Sequence, residues 1–317
     1  MKSERPIPRV GLALGGGGAR GWAHIGVLRA LAERNIEIHA YAGTSIGSLV
    51  GGFAAAGKLP ALESVLASMD LKRIIHLFAE KKLPRSGLVD GRHIVTLIRE
   101  QLGFPEIESL PVPFAAVATD AENGREVVLD RGDLVSAIRA SIAIPGMFTP
   151  VKWNGRYLVD GGLVNPLPVN VLKSRGYDVI IAVNLHGDGM TPFVREKPEV
   201  KPEREKRASR RSVPAPEKTL RWLEQQKEKL EQTARTTMQR WLSITDGPNI
   251  FQVMANTVDI VSAQLTTIQL REVPPDLLIE PKVGAIGHME FARIDEGIAA
   301  GYAAAVPVLD RWLTSRG

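Results

Sequence analysis

Two glycine turns constrain this chain most. Each sits between a short apolar run and a helix-patterned stretch, and both fall within the first sixty residues. Pro8–Leu14 reads as a strand, Gly15–Gly18 breaks it, and Arg20–Arg34 carries Ala23, Val27, Ala30 and Leu31 at helical spacing. Ile36–Ala42 reads as a second strand. Gly43-Thr44-Ser45-Ile46-Gly47 follows at once and opens a small-residue helix running to Gly57. Strand–turn–helix twice in succession begins a parallel α/β sheet, because parallel strands need a crossover and a helix usually supplies it.

The rest of the pattern extends that sheet. Leu59–Phe78, Gly91–Leu102 and Leu134–Ser141 read as helices, and Pro113–Thr119 and Arg125–Leu129 as strands joined through Glu122-Asn123-Gly124. Asn154-Gly155 marks a tight hairpin between Val151–Trp153 and Arg156–Val159. Asp178–Leu185 suits a buried parallel strand, Leu277–Glu280 a last strand and Asp295–Leu313 a last helix. Gly187–Pro216 is rich in proline and charge and reads as a loop, Leu220–Leu242 as an amphipathic helix and Ile250–Leu270 as another. The expected organisation is therefore a core over 1–186, a charged and helical insertion over 187–270, and a strand and helix over 271–317 that complete the core.

Composition excludes several chemistries. The 317 residues include no cysteine, so disulfides, thiolate metal sites and cysteine nucleophiles are ruled out. The net charge of +5 is concentrated. Arg195–Arg211 holds eight basic residues against four acidic ones, which leaves the remainder nearly neutral and suggests no nucleic-acid groove. Five glycines interrupt the uncharged stretch Val10–Ala19, so it does not read as an export signal, and the expected setting is the cytosol. Two readings of the basic segment and its helix stand open. One is a solvated loop with a helix packed on the core or on another subunit. The other is a peripheral contact with an anionic membrane surface, favoured by Trp222 and Trp241.

Three motifs carry chemistry. Gly15–Gly18, between strand and helix, lets backbone amides converge on an anion, either a phosphate or a transition-state oxyanion. Gly16, Gly18 and Gly21 also fit a dinucleotide fingerprint, but the second strand ends in Ala42-Gly43 where that fingerprint wants an acid. The same place holds G-x-S-x-G, with Ser45 flanked by Gly43 and Gly47, in the context required of a nucleophile elbow. A serine nucleophile needs a base, and His186 and His288 qualify by late position alone. The third motif, Asp160-Gly161-Gly162, ends a strand. It reads equally as a projected carboxylate or an ordinary turn.

Four blocks in order resemble the bacterial patatin-like phospholipases, the branch that includes the neuropathy-target-esterase catalytic domain. They are Gly15–Gly26, Gly43–Gly47, Ala140–Pro150 and Val159–Pro168. The resemblance implies a three-layer α/β/α domain with a mainly parallel sheet. It also implies a Ser–Asp dyad without histidine: Ser45 as nucleophile, Asp160 as base, and Gly16, Gly17 and Gly18 as the oxyanion hole, with Arg20 stabilising that loop. The expected substrate is a lipid ester and no cofactor or metal is implied. The alternatives are a thioesterase or small-ester esterase with the same dyad, and a non-catalytic lipid-binding or regulatory module.

Overall fold

The computed structural model describes residues 8–69, 73–74, 77, 89–188 and 250–316. The chain falls into two units, Met1–Thr191 with Met254–Gly317, and Pro192–Val253. Apart from 250–253, the described residues belong to the first. Leu220–Leu242, and all but the first two residues of Gly187–Pro216, lie outside them.

The strands are β1 (Val10–Leu14), β2 (Ala40–Thr44), β3 (Phe114–Asp120), β4 (Glu126–Leu129), β5 (Val151–Trp153), β6 (Arg156–Asp160), β7 (Val179–Val183) and β8 (Leu277–Ile279). The helices are α1 (Ala23–Glu33), α2 (Ile46–Ala55), α3 (Leu59–Ala67), α4 (Arg92–Leu102), α5 (Leu134–Ser141), α6 (Val169–Lys173), α7 (Ile250–Glu272) and α8 (Ile294–Thr314). One sheet runs β5-β6-β3-β2-β1-β7-β8, with β4 added on β3. Strands β3, β2, β1, β7 and β8 pair in parallel, while β4, β5 and β6 join antiparallel.

Every residue of β1, β3 and β7 is buried, as expected of strands covered on both faces. Alternation along β1 divides the core. Leu12 and Leu14 join a cluster with Ile25, Leu31, Val50, Phe53, Ile138 and Leu309, whereas Ala13 joins Ala42, Val117, Leu172 and Ile180 on the other face. Helices α1, α2, α5 and α8 thus cover one face, and α6 with the end of α7 the other. On the first face α8 lies almost backbone to backbone against α1. A Cβ on Gly26 would fall 1.9 Å from the Ile298 carbonyl oxygen, and one on Gly301 equally close to that of Ala23.

The second strand lies further along the chain than periodicity suggests, at Ala40–Thr44 rather than Ile36–Ala42. Pairing decides this. Ala40 stands opposite Gly11, and the ladder continues through Gly43 to Thr44 opposite Val117. Gly43 is strand despite its low propensity, because α2 folds back over it. A Cβ there would lie 2.4 Å from the Gly47 carbonyl oxygen.

Candidate active site

Ser45 sits between β2 and α2 with φ 54° and ψ −124°, a conformation that costs a non-glycine residue roughly 1–3 kcal/mol. Its surroundings hold it there. The Ser45 amide donates to Ser141 Oγ at 2.9 Å, and Ser141 in turn donates to the Val117 carbonyl at 2.6 Å. The Ser45 carbonyl accepts from Ser48 Oγ at 2.7 Å. Gly47 has no room for a side chain, since a Cβ would lie 2.1 Å from the Leu14 carbonyl oxygen. The glycines of G-x-S-x-G therefore serve close backbone approach on both sides of the serine. The positive end of α2 lies at the same point.

Asp160 reaches Ser45 through the sheet. β4 occupies one side of β3 over residues 116–119. On the other side β2 pairs as far as Thr44 opposite Val117, and β6 takes over with Asp160 opposite Ala118. Ser45 thus follows the Thr44–Val117 pair, and Asp160 forms the next pair along β3, with Ala118. The Ser45 hydroxyl donates to Asp160 Oδ2 at 2.6 Å, and Oδ1 accepts the Gly162 amide at 2.8 Å. Thr119 Oγ1 donates to the Asp160 carbonyl at 2.8 Å. Asp160 is 1% exposed. Burial pushes its carboxyl up to about 6, although the hydrogen bonds from Ser45 and Gly162 pull the other way.

The glycine loop passes beside the serine, where a Cβ on Gly16 would lie 3.5 Å from Ser45 Cβ. Its amides are not equivalent. Gly15 donates to the Val183 carbonyl, Gly16 to that of Pro166 at 2.9 Å, and Ala19 to that of His288 at 2.9 Å. Among the described residues, the Gly17 and Gly18 amides have no acceptor. The Gly15 carbonyl accepts from His24 Nε2 at 2.8 Å, and burial lowers that fully enclosed histidine to about 4, so it is neutral near pH 7.

Arg20 is fully buried beneath this loop. Its Nε donates to the Ile286 carbonyl at 3.0 Å, and its guanidinium stands 3.3 Å from Asp259 on α7. His186 and His288 also converge on Asp259, at 2.8 and 2.7 Å. Neither is the partner of Ser45, whose hydroxyl is given to Asp160. Burial opposes ionisation of Asp259, but its contacts with the two histidines and Arg20 outweigh this and hold it well below the usual carboxylate range.

On the other side of Ser45 lies an apolar cavity of about 130 Å³. Helices α2, α3 and α4 line it through Leu49, Phe53, Leu62, Leu66, Ile94 and Ile98, with Met147, Phe148 and Phe291 completing the wall. The spacing that made these helices amphipathic thus faces some apolar side chains into a void rather than into closed packing.

Sequence reasoning missed three contributors. Ser141 lies inside the block Ala140–Pro150, but nothing in its type sets it apart from a helix-end serine. His24 stands in the first block and is visible only as a core histidine until its bond to Gly15 is seen. Asp259 has no local signal, because its partners lie at 20, 186 and 288.

The family comparison agrees with this architecture. The family model described as patatin-like phospholipase matches residues 12–173, just over half of the chain. An uncharacterized NTE family protein of Mycobacterium tuberculosis strain H37Rv is 36% identical, with 96% of this chain and 92% of that protein aligned. Lysophospholipase NTE1 of the yeast Meyerozyma guilliermondii is 26% identical over 96% of this chain, which spans only 20% of that protein. Among solved structures, VipD from Legionella pneumophila aligns over 98% of this chain and 72% of its own, at 15% identity and a TM-score of 0.46. With its family model running from β1 to α6, through both glycine turns and the strand that ends at Asp160, the chain belongs to the patatin-like phospholipase family.

Proposed function

We propose that this protein is a serine lipid acyl hydrolase of the phospholipase A or lysophospholipase type, working through a Ser45–Asp160 dyad. One observation carries the reading. The serine on the strained elbow donates a 2.6 Å hydrogen bond to a buried carboxylate, and the same serine borders an apolar cavity. The family and the lysophospholipase relatives support lipid hydrolysis as the general chemistry.

In this reading Asp160 takes the Ser45 proton as Oγ attacks the ester carbonyl. The oxyanion is held by the Gly17 and Gly18 amides, while Gly16 anchors the loop through Pro166. Asp160 then gives its proton to the departing alcohol or lysolipid, leaving an acyl-serine. Water enters, Asp160 removes its proton, and the fatty acid leaves as Ser45 is reprotonated. A carboxyl near 6 is a far better proton acceptor than one near 4 and is still ionised at pH 7. The cavity takes the acyl chain, which favours long-chain esters over small ones. In the same proposal, the basic stretch Arg195–Arg211 brings the enzyme to anionic lipid surfaces, where its substrate resides. None of the helices among the described residues is long and apolar enough to cross a membrane.

The test is labelling of Ser45 with a fluorophosphonate probe, followed by a lipid-hydrolysis panel on the purified protein. Release of fatty acid from phospholipid or lysophospholipid, blocked by the probe, is the expected result. A protein that neither takes the label nor hydrolyses any ester is a binding module instead.

A further inference from the structure

The two late histidines form a centre of their own. His186, just past β7, and His288, in the segment before α8, each bring Nε2 to Oδ1 of Asp259, at 2.8 and 2.7 Å. The three donor atoms lie within 4.8 Å of one another, and the side chains are 5%, 11% and 2% exposed. The contacts are short, yet neither ring nitrogen makes an aligned hydrogen bond. That combination admits a reading other than a simple hydrogen-bonded cluster. Histidines held by hydrogen bonds aim N–H along the line to the oxygen. Donors gathered around a cation make mutual contacts that are close and oblique.

We propose that His186, Asp259 and His288 bind a divalent transition-metal ion of the zinc class. The donor set fits. Two imidazoles and one carboxylate suit zinc and its neighbours, whereas calcium and magnesium want mainly oxygen. Tetrahedral bonds of about 2.0–2.2 Å would set neighbouring donors roughly 3.3–3.6 Å apart, so the two histidine–carboxylate spacings of 2.8 and 2.7 Å need to open by about 0.5–0.9 Å.

Arg20 is the main opposing feature, because its Nη1 donates to Asp259 Oδ1 at 3.4 Å and also stands 3.3 Å from Oδ2. The carboxylate would bridge guanidinium and metal, leaving excess positive charge in a buried place. A hydroxide or small anion on the open coordination position offsets part of it.

The site would fasten three segments that are remote in the chain. It also underlies the glycine loop. The His288 carbonyl accepts the Ala19 amide, and a Cβ on Gly18 would strike the His288 ring at 2.5 Å. The ion therefore acts as a structural clamp on the loop, outside the serine chemistry.

The experiment uses tag-free full-length protein stripped with a chelator and titrated with Co2+, then Zn2+. One Co2+ per chain should bind, with the visible absorption of a four- or five-coordinate ion, and Zn2+ should displace it. Zn2+ should also raise the melting temperature by several degrees. The His186→Gln/His288→Gln double variant should lose both responses, and a His39→Gln/His93→Gln control should keep them. Circular dichroism without metal reports whether each variant is folded. Substoichiometric uptake by the wild type, or a Co2+ spectrum unchanged from the aqueous ion, overturns the proposal whatever the variants do. Equal uptake by the folded double variant overturns it too. Because these readouts are independent of ester hydrolysis, a failed metal titration leaves the hydrolase reading standing, and the reverse holds.

Discussion

Replacing Asp160 with Asn should make the protein more stable as it removes activity, and the gain should depend on pH in a defined direction. Burial raises the Asp160 carboxyl from 3.8 to about 6. A shift of about two units corresponds to roughly 3 kcal/mol of differential stability between protonation states. The sign follows from which state holds the proton. Below about pH 4 Asp160 is protonated in the folded and unfolded chain alike, and no penalty exists. Between about 4 and 6 the folded state keeps a proton that the unfolded state releases, so rising pH costs stability. Above about 6 the buried carboxylate is ionised and the whole penalty is present. Asn is neutral throughout and keeps an oxygen for the Gly162 amide. Asp160→Asn should therefore be about 3 kcal/mol more stable than wild type at pH 8 and indistinguishable from it near pH 3.5. At about 2.1 cal/mol/K per residue over this chain, that is a rise in Tm of roughly 4 °C. Calorimetry of both proteins at the two pH values, with ester hydrolysis followed in parallel, checks it. Wild-type turnover should itself fall as pH drops through about 6, where Asp160 ceases to be a base. Equal or lower stability of the variant at pH 8 would refute the reasoning, since the carboxylate would then be solvated well enough by its hydrogen bonds to carry no burial penalty.

Ser45→Ala should abolish hydrolysis without loss of fold, whereas Ser45→Gly should abolish it and also gain about 1 kcal/mol, because φ 54° no longer strains the backbone; melting curves beside the assay separate the two. Gly17→Val drives a side chain toward Leu185, whose Cδ1 lies 2.9 Å from a Cβ at that position, and should lower kcat roughly a hundredfold by displacing an oxyanion donor; an unchanged kcat would make the loop a structural turn. Leu49→Trp should fill the cavity next to Ser45 and cut long-chain ester turnover far more than that of a short soluble ester; parallel loss on both would place the acyl chain elsewhere. Deleting Arg195–Arg211 should weaken co-sedimentation with anionic vesicles at low salt and leave short-chain ester hydrolysis intact, and wild-type binding indifferent to salt would argue against a membrane contact.

What the sequence by itself determined was local. Periodicity located β1, β3, β7 and α5, and the Asn154-Gly155 turn, with φ 46° and 81°, lies where the dipeptide marks it. Ser45 was legible because a tight strand–helix turn forces glycines at fixed offsets around it. Asp160 could be read as a carboxylate or as a turn, and only the resemblance favoured the first. Tertiary structure decided what depends on which strand lies beside which. β6 continues the edge of β3 where β2 stops, and that pairing sets a carboxylate 2.6 Å from a serine 115 positions earlier. It also spent the Gly16 amide on Pro166, opened a cavity among helices that read as ordinary core, and assembled His186, Asp259 and His288 from three distant segments. Propensity and spacing act over a few residues, whereas hydrogen-bond partners and burial are properties of neighbours in space, and these fix which amides are free, which carboxyl is raised and which histidines meet.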